Sequence, residues 1–311
     1  MISHMSTSDL LRLQQSSDAM GTTFSIILYG YDREEMESAV DAAFDEARRL
    51  DEMLSNYRPA SEWSHANCHA AQSPVPVSAE LFQIISYILN SSRETEGAFD
   101  ITMGPLKRAW GFFRGDGRIP DAEELAAARR IVGYQYIRLD AANRTVRFDH
   151  EGVEMDPGGI GKGYAVDRIT GILKERGFDT ALLAASGSSL YGLGAPPKEP
   201  KGWRADIRDP EHSRKSIAHC FLKDMALSTS GTGEKSFWSE EGMFSHIVDP
   251  RTGRPLQEIS QVSVVCPRAV DGEVWAKAYL INGREWALQH RRDDFRVLFS
   301  SGDPSQPSEW F

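Results

Sequence analysis

Apolar residues recur along the chain at two spacings, one typical of strands and one typical of helices. A β-branched and aromatic run at residues 20–29 predicts a strand. Asp32 is placed to cap a helix whose apolar residues keep helical spacing through Leu54. Ser78 is placed to cap a second helix of the same kind, and residues 63–77 are predicted to form a loop.

Short strands dominate the rest of the pattern. A helix is predicted to begin at Pro120 and Asp121, followed by a hairpin pairing residues 132–139 with 145–148. Further strands are predicted at residues 180–185, 190–193, 203–207, 216–222, 225–229, 261–266 and 295–299, with a helix at 270–281. Strands and helices interleave without a regular βαβ rhythm, which predicts an α+β fold with a mostly antiparallel sheet.

The sequence Asp-Pro-Gly-Gly-Ile-Gly-Lys-Gly-Tyr-Ala-Val-Asp at residues 156–167 is the most unusual stretch. Alternation at 152–155 and a helical apolar stripe ending at Gly177 predict a strand, a glycine-rich turn and a helix. Glycines let the backbone approach a ligand, and a helix N-terminus offers N–H groups to an anion. The stretch lacks P-loop and dinucleotide-fold spacing. A plain tight turn stays open, but Asp156 and Lys162 favour a ligand site.

Composition narrows the class of protein. The 311 residues are 41% hydrophobic and 26% charged, which is typical of a globular chain. The net charge of -10 argues against nucleic acid as the main partner. No apolar run approaches the roughly 20 residues that span a bilayer, so no transmembrane segment is expected. Three widely separated cysteines predict neither a disulfide framework nor a metal site.

We expect no signal peptide at the N-terminus, where the second methionine, after Ser-His, resembles a cloning remnant. We expect residues 1–18 to be a tag or disordered segment and residues 19–311 to form one domain. The expected location is the cytoplasm for the chain as written, or the periplasm or exterior if an export signal has been removed.

Several separated motifs occur together in one order. They are Met-Gly-Thr at 20–22, Tyr-Arg-Pro-x-Ser-Glu at 57–62, Gly-Ala-Phe-Asp at 97–100, the stretch at 156–167, and Ser-His-Ile-Val-Asp-Pro-Arg-Thr-Gly at 245–253. In these motifs the chain resembles the ApbE family of FAD:protein FMN transferases. The resemblance implies a T-fold-related α+β domain of mostly antiparallel sheets with flanking helices. It also implies that FAD is the substrate, with Mg²⁺ as metal, and that FMN passes to a Thr or Ser hydroxyl while AMP leaves.

The resemblance also implies site residues. His246 is the expected base, and the Gly159 carbonyl is expected to face the metal. The expected cofactor-binding residues are Met20, Tyr57, Ala98, Phe99, Asp100, Asp156, Lys162, Ile247 and Ala276. Each has a plainer alternative as a core or turn residue, or as a hydrogen-bonded histidine.

The chain departs from the family at the metal. Where the family carries Asp-x-x-x-Thr ligands, this chain has Glu273 and Lys277. Glutamate can replace aspartate, whereas a protonated lysine cannot ligate. Three interpretations stay open: an exposed i,i+4 ion pair, an inward Lys277 that partly replaces the metal charge, or a register using Asp271. A second departure, at residues 184–188, leaves substrate contacts undefined.

Three functions are compatible with these residues. The first is FMN transfer to an acceptor protein with a Ser/Thr-Gly-Ala-Ser/Thr-type motif, as the resemblance implies. The second is FAD binding without transfer, because of Lys277. The third is FAD pyrophosphatase activity, with water as the nucleophile.

Overall fold

The computed structural model describes residues 9–113, 115, 117–212, 214–233, 235–301 and 308–311. The strands among them are β1 Leu11–Ala19, β2 Thr22–Gly30, β3 Val75–Pro76, β4 Ile137–Asp140, β5 Thr145–Phe148, β6 Ala181–Ala185, β7 Ser189–Leu193, β8 Trp203–Arg208, β9 Ser216–Leu222, β10 Met225–Gly231, β11 Ser236–Ser239, β12 Gly242–Ser245, β13 Ser260–Cys266, β14 Arg296–Ser301 and β15 Glu309–Trp310. The α-helices are α1 Arg33–Leu54, α2 Glu62–His69, α3 Ala79–Glu94, α4 Gly104–Ala109, α5 Ala122–Arg130, α6 Gly161–Glu175 and α7 Ala269–Gln289.

One large sheet organises the molecule. Its eight strands follow the order β1-β2-β6-β7-β10-β13-β14-β15, and every neighbouring pair is antiparallel. Side chains alternate between its two faces, so Val264 joins the main core beneath the helices while Val265 joins a second core on the opposite face. The predicted α+β class with a mostly antiparallel sheet is confirmed.

Helices α1, α6 and α7 cover one face of this sheet, and the β8–β9 hairpin packs against the other. The caps predicted for α1 and α3 are confirmed, because Asp32 accepts from the Glu34 and Glu35 N–H groups and Ser78 accepts from the Leu81 N–H.

The first strand corrects the expected domain boundary. Residues 11–18, expected to lie outside the fold, belong to β1, which pairs with β2 along its whole length. Leu13 is buried, so the strand contributes to the core as well as to the ladder. Met20 and Gly21 have φ values of 54° and 68°, which fits the two-residue turn of a tight hairpin. Residues 1–8 lie outside the described part of the chain.

Two local predictions are wrong, and the two segments concerned contact each other. Within the predicted loop at 63–77, residues 62–69 form α2, and the predicted strand at 152–155 has no ladder partner among the described residues. Instead, side chains of α2 form hydrogen bonds with the backbone at the end of that segment. The Trp63 indole and the Asn67 amide both donate to the Met155 carbonyl at 2.9 Å, and the Met155 N–H donates to the Asn67 Oδ1 at 2.9 Å.

The end of β6 also differs from the prediction. The residues after the Ser-Gly-Ser break were expected to continue that strand, but β6 and β7 form an antiparallel hairpin. Ser186 and Gly187 have φ values of 52° and 76°, which reverses the chain within a short turn.

Candidate functional site

A cleft opens where five segments meet: the loop after α3, helix α4, the glycine-rich turn, the loop after β12, and helix α7. Its lining residues are Ala98, Phe99, Asp100, Ile101, Met103, Lys107, Asp156, Gly158, Gly159, His246, Ile247, Val248, Pro250, Lys277 and Ile281. Eight of the predicted site residues are thus brought together, namely Ala98, Phe99, Asp100, Asp156, Gly159, His246, Ile247 and Lys277.

The glycine-rich turn is a short 3-10 segment at Pro157–Gly159 that leads directly into α6. The Asp156 N–H donates to the Ile101 carbonyl at 2.7 Å, which ties the turn to the opposite wall. A side chain at Gly159 would place its Cβ 3.0 Å from the Phe99 ring, so the aromatic ring lies directly on the turn. Helix α6 begins without a side-chain N-cap, which leaves its first N–H groups available to an anion.

Asp156 anchors the positive side of the cleft. Its carboxylate forms an ion pair with Lys107 and accepts from the Gly158 N–H at 2.8 Å. Burial works to raise the pKa of Asp156, but the Lys107 ammonium and the Gly158 N–H outweigh it and hold that pKa below its ordinary value. Asp156 therefore stays ionised and fixes the position of Lys107.

Asp100 organises the wall that carries Ala98 and Phe99. Its buried carboxylate accepts from the Thr102 N–H at 2.7 Å, the Thr102 hydroxyl at 2.6 Å and the Tyr134 N–H at 2.6 Å. Burial raises the pKa of Asp100 despite these hydrogen bonds. The carboxylate is thus engaged by the protein itself and shapes the loop.

His246 has the geometry of a neutral base. Its ring Nδ1 lies 3.1 Å from the Lys235 carbonyl oxygen, and the backbone N–H of His246 donates to the same oxygen at 2.8 Å. A carbonyl only accepts, so Nδ1 carries the proton and Nε2 keeps its lone pair. Burial, reinforced by the charges of Lys107 and Lys277, lowers the pKa of His246 to about 4, although the bond to Lys235 opposes this. The ring is therefore uncharged at neutral pH.

Lys277 turns inward, toward the glycine-rich turn. Its ammonium donates to the Gly159 carbonyl at 3.0 Å and to the Glu273 carbonyl at 3.3 Å. Glu273 is only 4% exposed, so the interpretation of these residues as an exposed ion pair is wrong. The Glu273 carboxylate accepts from the Ser189 hydroxyl at 2.6 Å and lies 4.0 Å from the Lys162 ammonium.

The position of Asp271 does not support the alternative register, in which Asp271 would be the metal ligand on α7. The Tyr87 hydroxyl donates to Asp271 at 2.5 Å, and Arg268 lies 3.9 Å from the same carboxylate oxygen. Asp271 does not belong to the lining of the cleft.

Four predicted cofactor residues lie beside the cleft lining rather than in it. Met20 packs on the start of α6, its methyl group 2.8 Å from where a Cβ at Gly161 would lie. Tyr57 is 62% exposed, with its ring centre 5.6 Å from that of Phe113. Lys162 contacts Glu273 as described above, and Ala276 is fully buried in the main core.

Sequence reasoning missed Lys107. It lies on α4, a six-residue helix in a region that was predicted to be a loop. A signal was present, because Pro105 directly after Gly104 is a common first-turn residue of a helix. Nothing in the sequence alone placed that helix against the glycine-rich turn, and only the fold brings Lys107 to Asp156.

The residues around Gly159 do not fit a metal ion. Its carbonyl, the expected metal-facing group, already accepts from the Lys277 ammonium. Within the described residues, no three side chains of the histidine, cysteine, aspartate or glutamate type are grouped to hold a metal. Across the same residues, no helix is both long and apolar enough to cross a bilayer.

Comparisons with known proteins match this chain to one family. The model of the ApbE family matches residues 20–299. A FAD:protein FMN transferase from Klebsiella pneumoniae is 28% identical over 288 residues, covering 91% of this chain and 87% of that protein. One from Escherichia coli is 26% identical over 302 residues, covering 94% and 84%.

Solved structures show the same fold. The crystal structure of the ApbE protein from Thermotoga maritima superposes with a TM-score of 0.84 at 26% identity, covering 94% of both chains. The apo flavinyl transferase ApbE from Pseudomonas stutzeri gives 0.84 at 26% identity, covering 99% of this chain and 96% of that one. Since the family model spans most of its length, the chain belongs to the ApbE family.

Proposed function

We propose that this protein transfers FMN from FAD to a Thr or Ser hydroxyl of an acceptor protein and releases AMP. The observation that carries the proposal is the neutral His246 facing the same cleft as the Lys107 and Lys277 ammonium groups. The transferase names of the relatives support it. A base beside fixed positive charges is what a hydroxyl attack on a pyrophosphate requires.

The proposed reaction balances without another reactant. The acceptor oxygen forms a bond to the FMN-side phosphorus, and the bond from that phosphorus to the AMP oxygen breaks. The hydroxyl proton passes to Nε2 of His246, and AMP leaves with the electron pair of the broken bond. His246 suits this role because its Nδ1 proton is held by Lys235, which leaves Nε2 as the accepting atom.

The pyrophosphate of FAD fits the positive side of the cleft. Lys107, Lys277 and the uncapped start of α6 surround the turn at Gly158 and Gly159. The flavin ring would extend toward the exposed Tyr57, which the family resemblance names and whose ring centre lies 5.6 Å from that of Phe113. Because the residues do not fit Mg²⁺, no step of this reaction runs through a metal.

The acceptor is proposed to carry a Ser/Thr-Gly-Ala-Ser/Thr-type motif, as the family resemblance implies. The proposed catalytic unit is one domain that begins with β1 rather than at residue 19. Two compartments fit this proposal, the cytoplasm or, behind an export signal, the periplasm, and cell fractionation decides between them.

One experiment separates transfer from its alternatives. The protein is incubated with FAD and two acceptor peptides, one with the hydroxyl motif and one with valine in place of the acceptor threonine. Transfer predicts that only the first peptide gains the mass of FMN. AMP with free FMN would instead identify a pyrophosphatase. Bound but intact FAD would identify a protein that binds FAD without transferring FMN.

A further inference from the structure

We propose that the Lys277 ammonium occupies the cation position of this site, so that the protein binds FAD without a divalent metal. The inference rests on the proposed function only in taking FAD as the ligand. It is carried by the contact of Lys277 with Gly159 and by the way the surrounding residues hold that contact in place.

The distance between the Lys277 ammonium and the Gly159 carbonyl decides whether a metal ion can bind there as well. Mg²⁺ binds oxygen ligands at about 2.0–2.1 Å. The Lys277 nitrogen lies 3.0 Å from the Gly159 oxygen, so an ion on that oxygen would lie within about 5 Å of the ammonium. Like charges this close inside a partly desolvated cleft repel strongly. The Gly159 carbonyl can therefore bind either the Lys277 ammonium or a metal ion but not both. Lys277 is part of the chain and is always present.

The contact between Lys277 and Gly159 is held from both sides. Lys277 also donates to the Glu273 carbonyl one turn earlier on α7, which orients its amine toward the turn. The Phe99 ring lies against Gly159, so the turn is backed by a buried aromatic side chain. Withdrawal of Lys277 would break both hydrogen bonds, and movement of the turn would disturb its contact with Phe99.

Lys107 and Lys277 both place positive charge at the glycine-rich turn. Lys107 lies on the other side of the same turn, its amine 3.6 Å from where a Cβ at Gly158 would lie. Together the two ammonium groups supply the charge of one divalent ion. Asp156 offsets part of it but orders Lys107 in return.

The remaining acid on this face of α7 is already engaged. The buried Glu273 carboxylate is bound by Ser189 and lies near Lys162. Freeing it to bind a metal would leave the Ser189 hydroxyl and the Lys162 charge without this partner, which costs free energy. The site is thus completed by lysine rather than by carboxylate and metal.

The test measures FAD affinity, not transfer. FAD fluorescence is titrated with the intact protein in excess EDTA and again with MgCl₂, for the parent, Lys277→Met, Lys277→Thr and the control Lys223→Met. Lys223 is an exposed lysine that does not line the cleft. Circular dichroism and thermal unfolding verify that each variant is folded.

The parent should bind FAD equally well in both buffers. Loss of a charge-assisted contact to phosphate predicts that Lys277→Met weakens binding in EDTA by roughly tenfold to a hundredfold. Lys277→Thr should weaken it similarly in EDTA and regain affinity with Mg²⁺, while Lys223→Met should match the parent.

Two results would overturn the proposal alone: parent binding that requires Mg²⁺, or parent-like affinity of Lys277→Met in EDTA. If the parent binds no FAD in either buffer, the proposed function itself fails.

Discussion

The contact between α6 and α7 at Gly163 is so close that one added methyl group should disturb both stability and the site. A Cβ at Gly163 would lie 2.6 Å from the Ala269 carbonyl oxygen and 2.9 Å from the Val270 Cα. Both are backbone atoms, which cannot move aside as a flexible side chain can. Gly163→Ala must therefore push the start of α7 away from α6.

The expected cost follows from overpacking a rigid contact, about 1–3 kcal/mol of unfolding free energy. Gly171 provides a matched control in the same helix, because a Cβ there meets nothing within 4 Å. Gly171→Ala should stabilise the protein by up to about 1 kcal/mol, since alanine loses less backbone entropy in a helix. The two variants should thus differ in the sign of their effect.

Urea unfolding, followed by circular dichroism, measures both variants against the parent. FAD titration then tests the connection to the site, because α7 carries Lys277 onto Gly159 and α6 begins two residues beyond that turn. Gly163→Ala should weaken FAD binding and Gly171→Ala should not. Equal unfolding midpoints for Gly163→Ala and the parent would refute the reasoning.

Four further predictions concern His246 and Tyr57. His246→Ala should abolish most transfer while FAD affinity stays close to the parent value; equal transfer rates would remove His246 as the base. The pKa of His246 near 4 predicts that kcat/KM falls on its acid side near pH 4 rather than near 6.5. Because the unfolded chain binds a proton at His246 more readily than the folded protein does, the free energy of unfolding should fall as pH falls from about 6.5 to about 4. The free energy of unfolding of His246→Ala should fall less over this pH range, and parallel curves for the two proteins would contradict this. Tyr57→Ala should weaken FAD binding by roughly tenfold through lost stacking, and unchanged affinity would exclude that contact.

Local signals predicted most of the fold. Polar residues before apolar stripes marked the starts of α1 and α3, and the β-rich runs marked the central strands, because caps and side-chain periodicity act over a few residues. Met20 was named as a flavin contact only through the family resemblance, and that role stays a prediction. Its neighbour in space, Gly161, is more than a hundred residues away in the chain.

What the sequence could not predict depended on long-range partners. Residues 152–155 alternate like a strand, yet the backbone of Met155 forms its hydrogen bonds with side chains of α2. Lys107 gave no local sign of a role, since its value comes from Asp156 across the cleft. The direction of Lys277 was likewise undecidable from its helix alone, because exposed and inward positions share the same i,i+4 relation to Glu273.

Transfer of FMN to an acceptor hydroxyl is tested by counting the products. The protein, FAD and an acceptor peptide are incubated in the presence and absence of EDTA, and AMP, free FMN and FMN-peptide are separated by chromatography over time. Transfer without a metal predicts one FMN-peptide for each AMP, with little free FMN and with EDTA having no effect. AMP formed with an equal amount of free FMN, and with the peptide unmodified, would contradict it.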